Sequence, residues 1–259
     1  MKRFLGIFLV VGCQQDNPVH DQPSIHFTEV PTIITPTVCG AETSTQIIEV
    51  NGTGLALFDF DNDDDLDLFV VNASNEPCRL YENVSVDSIA FQDVTEKLGL
   101  SVKRWGNGVA IGDVNGDGFD DVYITCHGPN VLLMNREGNG FEDVSDLAGV
   151  SDANWGTSAR FGDLDGDGDL DLYVCNYLEF DFDKPPPMAK YKGEDVLGGP
   201  HGMAPQQDVV FENLGDGTFQ DVTDQWGFTS ESSFTLNAAI LDFTGDGLHD
   251  VFVGNDSMA

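Results

Sequence analysis

Four times the chain places oxygen-bearing side chains at positions 1, 3, 5 and 9 of a short acidic loop, in the pattern D-x-[D/N/T]-x-D-x-x-x-D. The first loop carries Asp59, Asp61, Asp63 and Asp67, and the second Asp113, Asn115, Asp117 and Asp121. The third carries Asp163, Asp165, Asp167 and Asp171, and the fourth Asp242, Thr244, Asp246 and Asp250. Side chains so spaced can converge on one point, and a hard cation that wants about 6–8 oxygens fits such a cage. Neither a thiolate nor an imidazole recurs within the loops, so softer metals are disfavoured and calcium is the expected ion. Gly118, Gly168 and Gly247 stand at position 6, where the chain must turn sharply. The first loop has Asp64 there, a residue type that tolerates left-handed backbone better than most. Asp64 and the acid-replacing Thr244 mark the first and fourth loops as the weaker pair, with the third expected to bind best and the fourth worst.

The positioning elements follow from what comes after each loop. Position 12, where a helix-flanked calcium loop needs a bidentate Glu, holds Val70, Ile124, Val174 and Val253. The carboxylate at position 9 leads instead into apolar, β-branched and aromatic runs such as Val122-Tyr123-Ile124 and Leu172-Tyr173-Val174, which are strand signals. Each loop therefore joins two strands.

The loops sit in a larger repeat. Eight residues before each first aspartate stands Asn51, Trp105, Trp155 or Phe234, an aromatic in three cases of four. Between loops recurs a second element: Leu80-Tyr81-Glu82-Asn83 leading to Phe91-Gln92-Asp93-Val94-Thr95, with counterparts at 132–145 and 210–223. The first aspartates fall 54, 50 and 79 residues apart, the last interval containing an insertion at 179–208. A period near fifty with about four short β-type runs per unit is the signature of propeller blades. The expected fold is all-β, a β-propeller of four-stranded blades. The sequence ends after the fourth loop's strand without the second half-repeat, so the propeller is expected to be incomplete in this chain.

On these residues the chain resembles the FG-GAP/VCBS-type repeats of integrin-α-like β-propellers, and within them the cartilage acidic protein and ASPIC/UnbV group. The resemblance covers 47–259. It rests on the W-G-x-x-x-[A/R]-x-G-D-x-[D/N]-G-D-G core at Trp105 and Trp155, on the F-x-D-V-[T/S] element, and on Asn176-Tyr177. It implies a calcium-bearing propeller of extracytoplasmic proteins whose functions are mostly adhesive.

Composition limits the partners. With 45 acids against 11 bases in 259 residues, the formal charge is −34, which argues against nucleic acid and anionic membrane surfaces. Lys2 and Arg3 precede the apolar run Phe4 to Val11, too short to span a bilayer that needs about 20 residues. It reads as an export signal over 1–12. Val10-Val11-Gly12-Cys13 resembles a bacterial lipobox, which implies cleavage before Cys13 and its acylation, with an ordinary secretory signal as the alternative. Residues 13–46, rich in Pro, Thr, Gln and Ser, read as a tether. The location expected is an outer-membrane or cell-surface lipoprotein, otherwise secreted or periplasmic, with no membrane contact beyond the anchor. Cys39, Cys78, Cys126 and Cys175 allow three disulfide pairings or none.

No nucleophile elbow, zinc-helix motif or phosphate loop occurs, and His20, His26, His127, His201 and His249 share no ligand spacing. No catalytic residues are assigned. The expected function is a calcium-dependent binding or adhesion module for an extracellular protein or carbohydrate. The alternatives are a lyase-like enzyme on acidic polysaccharide and a scaffold without a specific ligand. The insertion, with Lys184, Lys190, Lys192, Tyr191, His201 and the run Pro185-Pro186-Pro187, is read as decoration, a partner-binding loop or a catalytic segment.

Overall fold

The computed structural model describes residues 8–10, 27–29, 34–35, 37–40, 46–50, 52–74, 76–200, 202–228 and 233–258. Asn51, His201 and Cys13, with the expected lipidation, lie outside the described residues. A short hairpin pairs β1 (Phe8–Val10) with β2 (Phe27–Glu29).

The body is built from antiparallel sheets in chain order. Blade 1 contains β3 (Leu55–Phe58), β4 (Asp67–Val70), β5 (Arg79–Asn83) and β6 (Phe91–Asp93). Blade 2 contains β7 (Trp105–Gly112), β8 (Asp121–His127), β9 (Val131–Asn135) and β10 (Phe141–Asp143). The only α-helix among the described residues, α1 (Ser145–Ala148), leads on to blade 3. That blade contains β11 (Gly156–Gly162), β12 (Asp171–Asn176), then, past the insertion hairpin β13 (Ala189–Tyr191) and β14 (Glu194–Val196), β15 (Val209–Asn213) and β16 (Phe219–Asp221). Among the described residues the fourth sheet has two strands, β17 (Ser233–Leu241) and β18 (Asp250–Met258). The expected four-stranded blades are thus present three times, followed by the first half of a fourth.

The first strands of successive blades run side by side, β3 against β7, β7 against β11, and β11 against β17. Glycine permits this approach. A Cβ on Gly108 would come within 2.6 Å of the Thr157 carbonyl oxygen, so any larger residue there would push β7 and β11 apart.

Blades 2 and 3 are sandwiched between neighbours, and the sequence of their second strands reflects that. All residues of β12 are buried, as are all of β8 except His127. A strand covered on both faces cannot alternate apolar with polar residues, hence the continuous apolar runs. The cores are inter-blade interfaces. Phe58, Phe69 and Leu80 of blade 1 pack with Val122, Ile124 and Leu133 of blade 2; Tyr123 and Leu132 pack with Leu172, Val174 and Phe211; and Tyr173 and Val210 pack with Ala238 and Val251.

Two features add detail to the sequence expectations. Part of the segment read as a tether is docked on blade 1: Thr35 N–H donates to the Tyr81 hydroxyl (3.0 Å), Val38 N–H to Asn72 Oδ1 (3.0 Å), and Ala73 N–H to the Val38 carbonyl (3.0 Å). The outer face of blade 1, with Leu68, Val70 and Tyr81, would otherwise lie open, and Ile34 packs against it. The four cysteines, whose pairing the sequence leaves open, are all buried and free. Burial pushes the thiols of Cys78 up to about 11 and of Cys126 and Cys175 up to about 12.

Candidate metal centre

All four acidic loops lie at the same end of the blades, each between the first and second strand. Positions 4 and 6 are left-handed in every loop: Asn62 and Asp64, Gly116 and Gly118, Gly166 and Gly168, Gly245 and Gly247. Position 6 was legible in the sequence; position 4 follows the same rule, with Asn or Gly in each loop. In the first loop Asp64 adopts φ 70°, so replacing glycine there does not prevent the turn.

The turn is locked by position 1. Asp59 accepts the amides of Asp63 (3.1 Å) and Asp64 (2.9 Å), Asp113 those of Asp117 (3.1 Å) and Gly118 (2.8 Å), and Asp242 those of Asp246 (3.1 Å) and Gly247 (3.0 Å). In the third loop Asp163 accepts Gly166 N–H at 2.7 Å.

Position 9 is a brace as much as a ligand. Asp67 accepts Phe60 N–H (3.1 Å) and Asn83 N–H (2.8 Å); Asp121 accepts Val114 N–H (3.0 Å) and Asn135 N–H (2.8 Å); Asp171 accepts Leu164 N–H (2.8 Å) and Asn213 N–H (3.0 Å). Each carboxylate thus ties its loop to the third strand of its own blade. Burial raises the pKa of all three, against these hydrogen bonds, and neighbouring loop acids add to the rise; Asp67 and Asp121 reach about 6.

The asparagine ending the third strand is a functional residue that the sequence reading passed over. Asn135 Nδ2 donates to the Phe60 carbonyl of the first loop (2.8 Å) and to the Asp120 carbonyl of its own (3.1 Å), and its Oδ1 accepts Gly138 N–H (2.9 Å). Asn213 repeats this one blade on, reaching the Val114 carbonyl of the second loop (2.8 Å) and the Leu170 carbonyl of the third (3.1 Å). Each asparagine latches a loop to the following blade. Its recurrence at 83, 135 and 213 was the available signal.

Convergence differs between loops. Carboxylate oxygens of Asp59, Asp61 and Asp67 lie within 4.8 Å of one another, as do those of Asp163, Asp165 and Asp171. These are the only two such acidic or His/Cys groups among the described residues. The first loop, expected to be weaker, closes as well as the third. Asp63 and Asp167 at position 5 are exposed and accept the amides of Asp65 (3.1 Å) and Asp169 (2.9 Å). In the second loop Asn115 is tied to its neighbour, taking Asp117 N–H on Oδ1 and donating from Nδ2 to Asp117 Oδ2, both 3.0 Å. The fourth loop is exposed around Asp242, Thr244 and Asp246, and Asp250 Oδ2 is occupied by Phe243 and Thr244 amides at 2.8 and 2.9 Å.

The residues fit a hard cation. Donors are oxygen throughout, and in the first loop Asp61 Oδ1 and Asp65 Oδ1 are buried without a hydrogen-bond partner. Both carboxyls have raised pKa values, through desolvation and then the charges of Asp63, Asp59 and Glu82. Unpartnered, mutually repelling buried oxygens are what a bound cation relieves.

At the opposite end of the same strands lies an aromatic cluster. Trp155 is enclosed by His127, Tyr177 and Phe180, with ring centroids 5.3–5.8 Å apart, and Phe182 stacks on Trp105 at 5.1 Å. Phe180 and Phe182 come from the insertion. Its base is fastened by Glu179 N–H to the Ala204 carbonyl (2.8 Å) and by Trp155 N–H to Gln206 Oε1 (2.7 Å). The ends of the 179–208 segment are therefore fastened to the body, with Phe180 and Met203 partly buried against the cluster, while the hairpin strand β13 is exposed throughout.

Oxygen-rich loops joining the first two strands of successive antiparallel blades define a propeller of acidic-loop repeats. The sequence profile of the FG-GAP-like repeat matches residues 59–124, 113–174 and 194–253, more than half of the chain, and the chain belongs to the FG-GAP-like repeat family. Comparison with curated proteins gives no match.

Proposed function

We propose that this propeller is an exported calcium-binding protein that acts as a binding or adhesion module for an extracellular protein or carbohydrate. The observation that carries the calcium reading is the convergence of Asp59, Asp61 and Asp67, and of Asp163, Asp165 and Asp171, in loops already locked by their own backbone. A preformed all-oxygen cage binds calcium without ordering cost, and its charge is offset where acids repel. The export reading draws on the repeat family, typical of extracellular proteins, and on the N-terminal signal pattern. No helix among the described residues is long and apolar enough to cross a membrane. Acylation of Cys13 is part of this proposal, and intact mass of membrane-extracted protein decides it.

The binding surface proposed is the projecting hairpin, where Tyr191 and Met188 are exposed on a body of opposite character. The lysines that a lyase reading would use are committed within the insertion: Lys190 pairs with Asp195 at 2.7 Å, Lys184 with Asp181 at 3.7 Å, and Lys192 lies over the Tyr191 ring. The test is a screen of glycans and surface proteins in calcium and in chelator, repeated with residues 184–200 replaced by a short turn. Calcium-dependent binding lost with the hairpin supports the proposal; binding unaffected by both changes overturns it.

A further inference from the structure

We propose that the cavity of about 260 Å³ between the blade 1–blade 2 connection and the outer strands of blade 2 binds a single acidic sugar unit, a hexuronate. The proposal rests on the reading of the chain as a binding module and places a ligand site on it, away from the insertion. Three observations converge. The floor is apolar: Leu100 and Leu133 are buried, and Phe141 packs beside them partly exposed. The rim holds Lys103 and Arg104, both exposed. Beside them stands Asp143, held through Oδ1 by the Ser145 amide at 3.1 Å and by its hydroxyl.

The two cations are an electrostatic exception. In a protein with 45 acids, Arg79, Lys97, Arg136, Lys184 and Lys190 each pair with a carboxylate. Arg160 bonds to Asn237 and Lys192 lies over Tyr191. Among the described residues, Lys103 and Arg104 alone stand together without an ion pair, and they do so at a cavity mouth. Such a pair attracts a ligand anion against the field of the remaining surface. An inorganic anion would need neither the apolar floor nor a carboxylate at the rim. A sugar acid uses all three: its carboxylate faces Arg104 and Lys103, a hydroxyl donates to Asp143 Oδ2, and a ring C–H face lies on Phe141. The volume is near the lower end of small-ligand pockets, about 300 Å³, which suits one ring and not an extended chain.

The test titrates the full calcium-loaded chain with galacturonate and glucuronate oligomers, with neutral galactose oligomers, and with succinate as a carboxylate lacking a ring. Uronates are expected to bind in a salt-sensitive way, with R104Q weakening them about tenfold or more, as for loss of a charge-assisted hydrogen bond, and R104K recovering part of the loss. Both cations are exposed, so K103Q and R104Q should melt with the wild type. Succinate binding as tightly as uronate, wild type binding no uronate, or R104Q binding it undiminished each overturns the proposal. Hairpin-dependent binding of another ligand, persisting while uronates fail, would leave the binding-module reading standing and remove only this site.

Discussion

The two ends of the inner strands are held by opposite physics. At the loop end, the repeated unit is a carboxylate bonded to backbone amides, and it recurs blade after blade because backbone geometry recurs. At the other end, Trp155, His127, Tyr177, Phe180 and Phe182 form one aromatic cluster, built round the lead-in tryptophan of blade 3 and closed by the insertion. The stability of the first end should depend on ions and protons; that of the second should rest on packing and not on calcium.

The sharpest way to break the comparison is Trp155→Ala. The side chain is 1% exposed, and emptying a site of that size costs about 3–5 kcal/mol. Denaturation should show that loss equally in calcium and in chelator. A loss confined to calcium would mean the two ends are not independent.

Asn135→Ala comes next. It strands the Phe60 and Asp120 carbonyls and the Gly138 amide, at about 1–3 kcal/mol for each buried group left unpaired, partly relieved by water. Unlike Trp155→Ala, it should also weaken calcium binding by the first loop, one blade away. The check is calcium titration of N135A against D61N and the double variant. Additive effects on affinity would show that the latch carries no coupling.

Asp165→Ala removes one member of the third triad. The stabilisation calcium adds there, about 2.7 kcal/mol at 100 times the dissociation constant, should largely vanish, while stability in chelator rises because one repelling charge is gone. Equal melting shifts on adding calcium to D165A and wild type would refute the third site.

The loop end should also respond to pH. Asp67 and Asp121 hold their protons more tightly folded, at about 6 against 3.8 in the ordinary carboxyl. In chelator, therefore, their contribution to stability is greatest near pH 4 and declines as pH rises to about 6. Calcium competes with those protons and reverses the slope. Melting at pH 4, 5, 6 and 7 with and without calcium reads both signs, and parallel curves would contradict the assignment of these groups to the loops.

Much of this was legible because the loops announce themselves by residue type: Asp59, Asp113, Asp163 and Asp242 fix the repeat, and Val122 to Ile124 and its counterparts fix the strands. What stayed hidden was whatever joins residues distant in sequence. Asn135 reaches Phe60 across 75 residues, and its recurrence at 83, 135 and 213 marks a shared position without showing which carbonyl it meets. Phe180 and Phe182 look like insertion residues until the fold sets them against Trp105 and Trp155. The convergence of the first loop was hidden for a related reason. Position 6 needs left-handed backbone, and aspartate supplies it at modest strain, so Asp64 was a weaker argument than the neutral Asn115, which bonds to Asp117 and leaves the second loop without a third converging acid.

The smallest effect separates the third loop from the fourth. Thr244 is exposed, and only its backbone amide is used, by Asp250 at 2.9 Å. Thr244→Ala keeps that amide, so stability should change by less than about 0.5 kcal/mol, as for surface substitutions away from special features. Thr244→Asp is the informative variant, since it restores the acid at position 3 beside Asp242, whose carboxyl is held below its usual range by the Gly247, Gly245 and Asp246 amides. If side-chain identity alone limits the fourth site, T244D gains a calcium-dependent melting increment comparable to that of the third loop. If it gains none, exposure is the limit: Asp171 of the third loop is buried and reached by Asn213, whereas Asp250 spends one oxygen on both Phe243 and Thr244. Closure of the cage would then depend on that third-strand brace, and the acids would be necessary without being sufficient.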